Sequence, residues 1–255
     1  MKKILFLFSA ISLVLASCSS SDDNNDNNDK PTVDDTVLIL PQTEKYTSAS
    51  HPEENNITTY TYNGNKIVSV DYSEGNKTTF TYTGNVITKS EYFENNILME
   101  TTTLTYENNK LKSYLKVPTT ASSSRVRTDY TYNTDGTITS LRILIDPITQ
   151  VETIDLTSVL TLDTRGNIIK IVFDDYVDVA EYDTKNNPFK NILGYTLLLD
   201  AEIFDQDVNS GNNLTKTTGE KNGITVEIAT YENSYNNNDF LTKQVSNGET
   251  FEYTY

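Results

Sequence analysis

Tyr60-Thr61-Tyr62-Asn63-Gly64-Asn65-Lys66-Ile67 decides the fold of this 255-residue chain, because the chain writes it again and again with small changes. Phe80-Thr81-Tyr82-Thr83-Gly84-Asn85-Val86-Ile87 is the next copy. Leu104-Thr105-Tyr106-Glu107-Asn108-Asn109-Lys110-Leu111, Tyr130-Thr131-Tyr132-Asn133-Thr134-Asp135-Gly136-Thr137-Ile138 and Leu160-Thr161-Leu162-Asp163-Thr164-Arg165-Gly166-Asn167-Ile168 continue the series. Weaker copies begin at Glu181-Tyr182-Asp183 and at Tyr231, and the strand Phe251-Glu252-Tyr253-Thr254-Tyr255 falls where another would start. Aromatic-Thr-aromatic alternation has a period of two and suits a pleated, half-buried surface. Asn-Gly and Asp-Gly supply the positive-φ positions of a tight hairpin, and the next strand opens on an aliphatic residue. Each copy is therefore one turn with its two flanking strands. Strung together, the copies predict an all-β antiparallel meander of about 14 to 16 strands. A sheet of that width accumulates twist and must hide its edges, so it is expected to curl into a barrel-like sheet around Tyr, Leu, Ile and Val.

One segment breaks the rhythm. Asn187-Pro188-Phe189-Lys190-Asn191-Ile192-Leu193-Gly194-Tyr195-Thr196-Leu197-Leu198-Leu199 is apolar without alternation and carries Pro at a plausible first helical position. It predicts a short helical interruption near 187–200 that caps one mouth of the barrel. Stretches such as Lys77-Thr78-Thr79 and Thr101-Thr102-Thr103 leave the outward positions polar in either phase, which argues against a barrel whose wall faces lipid.

The beginning of the chain is an address. Residues 1–17 join Lys2 and Lys3 to a short apolar run and end in small residues before Cys18, the single cysteine. The run is shorter than the roughly 20 residues that span a bilayer, so it reads as a signal peptide. Leu15-Ala16-Ser17-Cys18 resembles the lipobox of bacterial lipoproteins, which implies lipidation of Cys18 and membrane attachment through that anchor. Residues 18–36 are Ser-, Asp- and Asn-rich and have almost nothing to bury, so they read as an acidic disordered tether. Ser21, Asp22 and Asp23 resemble the export signal that takes Bacteroidota lipoproteins to the outer face of the outer membrane. Asp35-Thr36-Val37 resembles an O-glycosylation acceptor of the same phylum, which implies modification at Thr36. Residues 37–255 are then a single β-repeat domain.

Acidic residues outnumber basic ones 36 to 20, a net charge of −16 that becomes two units more negative once Lys2 and Lys3 leave with the signal. With no basic stripe to neutralise phosphates, nucleic acid is excluded as a partner. The same charge discourages docking on anionic lipid beyond the covalent anchor.

Tyr-x-Gly-Asn-x-Ile, as in Tyr62–Ile67 and Tyr82–Ile87, is similar to the tyrosine-aspartate repeats of large wall-associated and toxin-delivering shells. The chain departs from them in lacking the Asp-Pro-x-Gly turn, having only Asp146-Pro147-Ile148, and in being far too short to enclose a toxin. Lipobox, Ser-Asp-Asp tether, Asn-Pro-Phe-Lys-Asn interruption and terminal Tyr-Thr-Tyr together resemble a group of Bacteroidota outer-membrane lipoproteins of unknown function, described as having a porin-like β fold. The resemblance implies a barrel and an envelope location and transfers no catalytic residue.

Catalytic sets are scarce. The single histidine, His51, stands beside Pro52 in a linker, so neither a Ser-His-Asp device nor a zinc site can be assembled around it. Asp174, Asp175, Asp178, Glu181 and Asp183 cluster around one expected hairpin and keep a two-carboxylate glycosidase open. Asp205, Asp207 and Asn209 have the alternate spacing of a calcium loop, although Gly211 comes one place late and Lys216 stands where the closing Glu would be. Calcium is thus the one cofactor the sequence leaves open. Tyr60, Tyr62, Tyr82, Tyr92, Tyr106, Tyr130 and Tyr132 could form an aromatic platform for a glycan or could equally fill a core. The expectation is a lipid-anchored, non-catalytic surface domain that binds a glycan or protein ligand or acts as a scaffold. A periplasm-facing carrier or assembly factor holding an apolar ligand is the alternative, and a carboxylate glycosidase the third reading. A lined cavity would separate the second from the first.

Overall fold

The structure, a computed structural model, describes residues 38–199 and 210–255. Its strands, in chain order, are β1 (Thr43–Ser48), β2 (Asn56–Asn63), β3 (Lys66–Tyr72), β4 (Asn76–Thr83), β5 (Val86–Glu94), β6 (Ile97–Glu107), β7 (Lys110–Pro118), β8 (Arg125–Tyr132) and β9 (Ile138–Ile145). They continue as β10 (Glu152–Leu162), β11 (Ile168–Phe173), β12 (Tyr176–Tyr182), β13 (Leu214–Lys221), β14 (Ile224–Thr230), β15 (Glu232–Tyr235), β16 (Leu241–Ser246) and β17 (Glu249–Thr254). Consecutive strands pair antiparallel from β1 through β14 and again from β15 through β17. β17 then returns to pair antiparallel with β1, Thr43 opposite Thr254.

An antiparallel ring closes only with an even number of runs. Seventeen strands satisfy this because β14 and β15 point the same way: Tyr231 alone separates them, and they are two halves of one bent strand. The first half lies on β13 and the second on β16, with the Tyr231 N–H donating to the Thr215 carbonyl at 3.0 Å across the bend. The result is a nearly closed barrel of sixteen runs, in which β14 pairs along one edge among the described residues.

The hairpins owe their tightness to asparagine and glycine. Asn108 and Asn109 between β6 and β7 both have positive φ, 52° and 59°, as a type I′ turn requires. Gly64, φ 63°, takes the first central place between β2 and β3, where a β-carbon would be strained. These turns collect at one mouth of the barrel.

At that mouth the repeat tyrosines perform a specific task. Ladders between successive hairpins stop short of the turns: β5 and β6 pair only as far as Lys89 and Thr103, and β7 and β8 only as far as Ser113 and Asp129. A tyrosine hydroxyl from the next hairpin bridges each gap. Tyr106 donates to the Ile87 carbonyl at 2.8 Å, Tyr132 to Leu111 at 3.1 Å and Tyr182 to Ile168 at 2.9 Å. Tyr255 donates to Leu241 in the same way, and the Tyr82 hydroxyl accepts from the Ile67 N–H at 3.2 Å. Ile67, Ile87 and Leu111 sit beside a register shift opposite the repeat aromatic of their own hairpin, at Thr61/Tyr62, Thr81/Tyr82 and Thr105/Tyr106, and Ile168 sits likewise opposite Leu162. Backbone groups left over by bulge and splay are thereby satisfied, which a buried chain demands.

Inside this mouth lies the core. Ile67, Ile87, Leu111, Tyr60, Tyr114 and Tyr130 point inward and are almost fully buried. The interruption folds into them: Phe189, Ile192, Tyr195 and Leu198 are each within 2% of complete burial. Burial of an aliphatic or phenyl side chain contributes roughly 1.5–3 kcal/mol, so the plug is a principal source of stability. Its backbone contains a single 3-10 turn, Tyr195–Leu197, where the sequence suggested a helix. Gly194 at φ 80° and anchorage to the rim explain this: the Leu193 N–H donates to Asn65 at 2.8 Å and the Tyr82 hydroxyl to Leu193 at 3.1 Å.

Candidate functional site

The inward rows change character along the barrel axis. Near the plug they are apolar; midway they become Thr58, Ser90, Thr102, Thr128 and Ser158, all buried and all small. Small side chains there leave the far half of one wall unfilled. A cleft of ≈ 500 Å³ results, within the range of ligand pockets.

Strand alternation positions its lining. Val70 and Tyr72 of β3, Asn76, Thr78 and Phe80 of β4, Ser90 and Tyr92 of β5, Glu100 and Thr102 of β6 and Lys116 of β7 share the inner face. The register confirms the phase, with Val70 opposite Thr78, Thr78 opposite Tyr92, Ser90 opposite Thr102 and Thr102 opposite Lys116. At the rim stand Glu74 in the β3–β4 turn and Glu53 and Glu54 in the 3-10 turn Pro52–Glu54. That turn connects β1 to β2 and is opened by Pro52, whose fixed φ suits a helical first position.

Three properties describe the cleft chemically. Its aromatic walls are Tyr72, Phe80 and Tyr92, with the Tyr92 hydroxyl donating to Glu94 at 3.3 Å. Its rim is acidic, with the Lys116 ammonium 3.6 Å from Glu100 as the single basic group. Its floor includes the hydroxyl-bearing Ser90 and Thr102, 7% and 4% exposed. The arrangement can hold a small polar molecule that offers hydrogen-bond donors and a face for the rings.

The sequence candidates disperse. Of the seven tyrosines, Tyr92 alone lines the cleft. Tyr60 and Tyr130 are core, Tyr60 donating to the buried Glu44 at 3.1 Å, while Tyr62, Tyr82, Tyr106 and Tyr132 serve the rim. Burial raises the phenol pKa of Tyr82 to about 12 and that of Tyr60 well above its usual value, where Glu44 adds to the effect. His51 is exposed, its ring 3.0 Å from Ser50.

The five carboxylates do not converge. Asp174 and Asp175 occupy the β11–β12 turn, and Glu181 faces outward against Lys216 at 3.3 Å. Asp183 accepts from the Lys185 N–H at 2.9 Å, from Asn213 and from Tyr235, within a network that also contains the wholly buried Asn167. Asp178 turns inward across Gly219 from Glu227, and burial, then the Glu227 charge, raise its pKa. Cys18, Ser21, Asp22, Asp23, Thr36, Asp205, Asp207 and Asn209 lie outside the described residues.

Sequence reasoning missed the cleft because its members span residues 53–116. Phase was a usable signal on β4 and β6, where inward positions counted by twos pass from Tyr82 and Leu104 to Asn76 and Glu100; on β3 and β5 the register shift after Ile67 and Ile87 breaks the count before Tyr72 and Tyr92.

No family model and no curated protein matches the sequence. Solved structures do match. A porin-like protein from Bacteroides uniformis ATCC 8492 aligns with TM-score 0.52 and 13% identity over 86% of this chain and 97% of its own. A porin-like protein from Bacteroides vulgatus ATCC 8482 aligns with TM-score 0.57 and 12% identity over 85% of this chain and 98% of its own. At such identities the likeness is one of architecture, and the chain has a porin-like β fold.

Proposed function

We propose that this chain is a lipid-anchored cell-envelope protein, held at the outer membrane through Cys18 and facing the exterior, whose barrel is a non-catalytic binding domain for a small polar ligand. The observation that carries the binding role is the division of the barrel interior, packed solid at the plugged mouth and hollow, aromatic and polar at the other. Outward rows support a wall in water. Lys77 pairs with Asp71 at 3.0 Å, Lys89 with Glu91 at 2.9 Å, and Arg127 with Glu152 at 2.6 Å on that face. Charges at the midplane of a lipid-facing wall would cost about 2–4 kcal/mol each. The polar floor favours this reading over a carrier for an apolar ligand.

Two experiments test it. Protease treatment of intact cells should digest the native protein and spare a variant with Ser21, Asp22 and Asp23 all changed to Ala; protection of both would refute the exterior location. For the cleft, Thr102→Trp fills the floor, and a polar fragment collection should yield thermal shifts in the native protein that vanish in this variant. Shifts that persist would place binding elsewhere.

A further inference from the structure

Resting on the reading of the hollow mouth as a binding site, we infer that its ligand is an organic cation, a protonated amine or guanidinium on a short apolar stem. Charge is the first argument. Glu53, Glu54, Glu74 and Glu100 line one cleft against Lys116 alone, and that ammonium already sits 3.6 Å from Glu100. The excess is negative, and the chain's charge of −16 adds a long-range attraction for cations. Aromatic walls are the second: the faces of Tyr72, Phe80 and Tyr92 carry the negative quadrupole that draws a cation, and they cover the apolar stem beside it. The third is the floor. Ser90 and Thr102 line it and are more than nine-tenths buried. Each hydroxyl oxygen carries two lone pairs, so a ligand N–H can donate to it at the floor.

The chemistry has two natural sources, a free polyamine and the basic side chain of a peptide. Calorimetric titration of the detergent-purified full-length protein with spermidine, trilysine, cellotetraose and triglutamate separates them. We expect spermidine or trilysine to bind, whichever is tighter naming the source, with affinity falling as salt is raised. Glu74→Gln should weaken binding about fivefold and Tyr92→Ala by a similar factor. Lys116→Gln is the discriminating variant: it removes the competing ammonium and frees Glu100, so cation binding should tighten several-fold. Its fold is checked by an unchanged melting temperature. Cellotetraose or triglutamate binding without the amines would overturn the cation and leave the cleft standing. Silence from all four probes would overturn the inference, and the fragment titration against Thr102→Trp then decides whether the cleft binds anything.

Discussion

Replacing Tyr106 with Phe tests the claim that the repeat tyrosines stitch one hairpin to the next. The substitution keeps the ring and removes one oxygen, which donates at 2.8 Å to the carbonyl of Ile87, a residue with no exposed surface. A net hydrogen bond contributes about 0.5–1.5 kcal/mol, and an orphaned buried carbonyl costs about 1–3 kcal/mol, so a loss of about 2 kcal/mol is expected. In a domain of this size that lowers Tm by about 4–8 °C. Urea denaturation followed by circular dichroism should show a lower midpoint with an unchanged slope, because neither the native nor the unfolded surface changes. Tyr92→Phe is the comparison: its hydroxyl meets an exposed carboxylate at 3.3 Å and its loss should cost less than about 0.5 kcal/mol. Tyr132→Phe, which unstitches the next seam, should resemble Tyr106→Phe, and the double variant should be additive to within about 0.5 kcal/mol. If Tyr106→Phe proves as mild as Tyr92→Phe, the stitching account is wrong.

Alkali should unfold the barrel. The phenol pKa values raised in the folded state, Tyr82 to about 12 and Tyr60 and Tyr253 well above their usual value, mean that the unfolded chain releases these protons first. Their contribution is complete below pH 10 and is lost as pH rises through 12 and beyond, so absorbance of tyrosinate and loss of far-ultraviolet dichroism should coincide; tyrosines that ionise gradually in a folded protein would contradict this. Gly194→Ala should destabilise by about 1–3 kcal/mol in thermal melts, since it puts a β-carbon at φ 80° and 3.2 Å from the Asn85 carbonyl; a neutral effect would show that the plug is loosely seated. Cys18→Ser should release the protein from membranes, and a variant that still sediments after a carbonate wash would remove the anchor from the account.

How far the sequence reveals this molecule depends on whether a feature is local. Alternation in Tyr60-Thr61-Tyr62 and the turn residues after it announce a hairpin, since strand, phase and turn are set within eight residues. The task of Tyr106 is invisible in the same window, because its partner Ile87 belongs to the preceding hairpin and the splay that exposes the carbonyl is a property of the ring. Residues 187–199 read as helix because apolar residues without alternation fit one, yet Asn65 and Tyr82, more than a hundred residues away, take up the backbone groups that a helix would have paired internally. Glu74, Glu100 and Lys116 each read as an ordinary strand or turn residue and Tyr92 as one of seven candidate platform rings, and only register places them around one space.

The pairing of β17 with β1 joins positions more than two hundred residues apart, down to the 2.6 Å contact between the Thr43 and Thr254 hydroxyls. Closing so long a loop before the hairpins between have formed is entropically costly, so closure is expected to come late in folding. Until then the curled sheet carries two open edges, each able to recruit a foreign strand. The meander therefore ties solubility to completeness: a chain broken anywhere around the ring keeps most of its hairpins and becomes adhesive, while the intact one presents a nearly seamless wall.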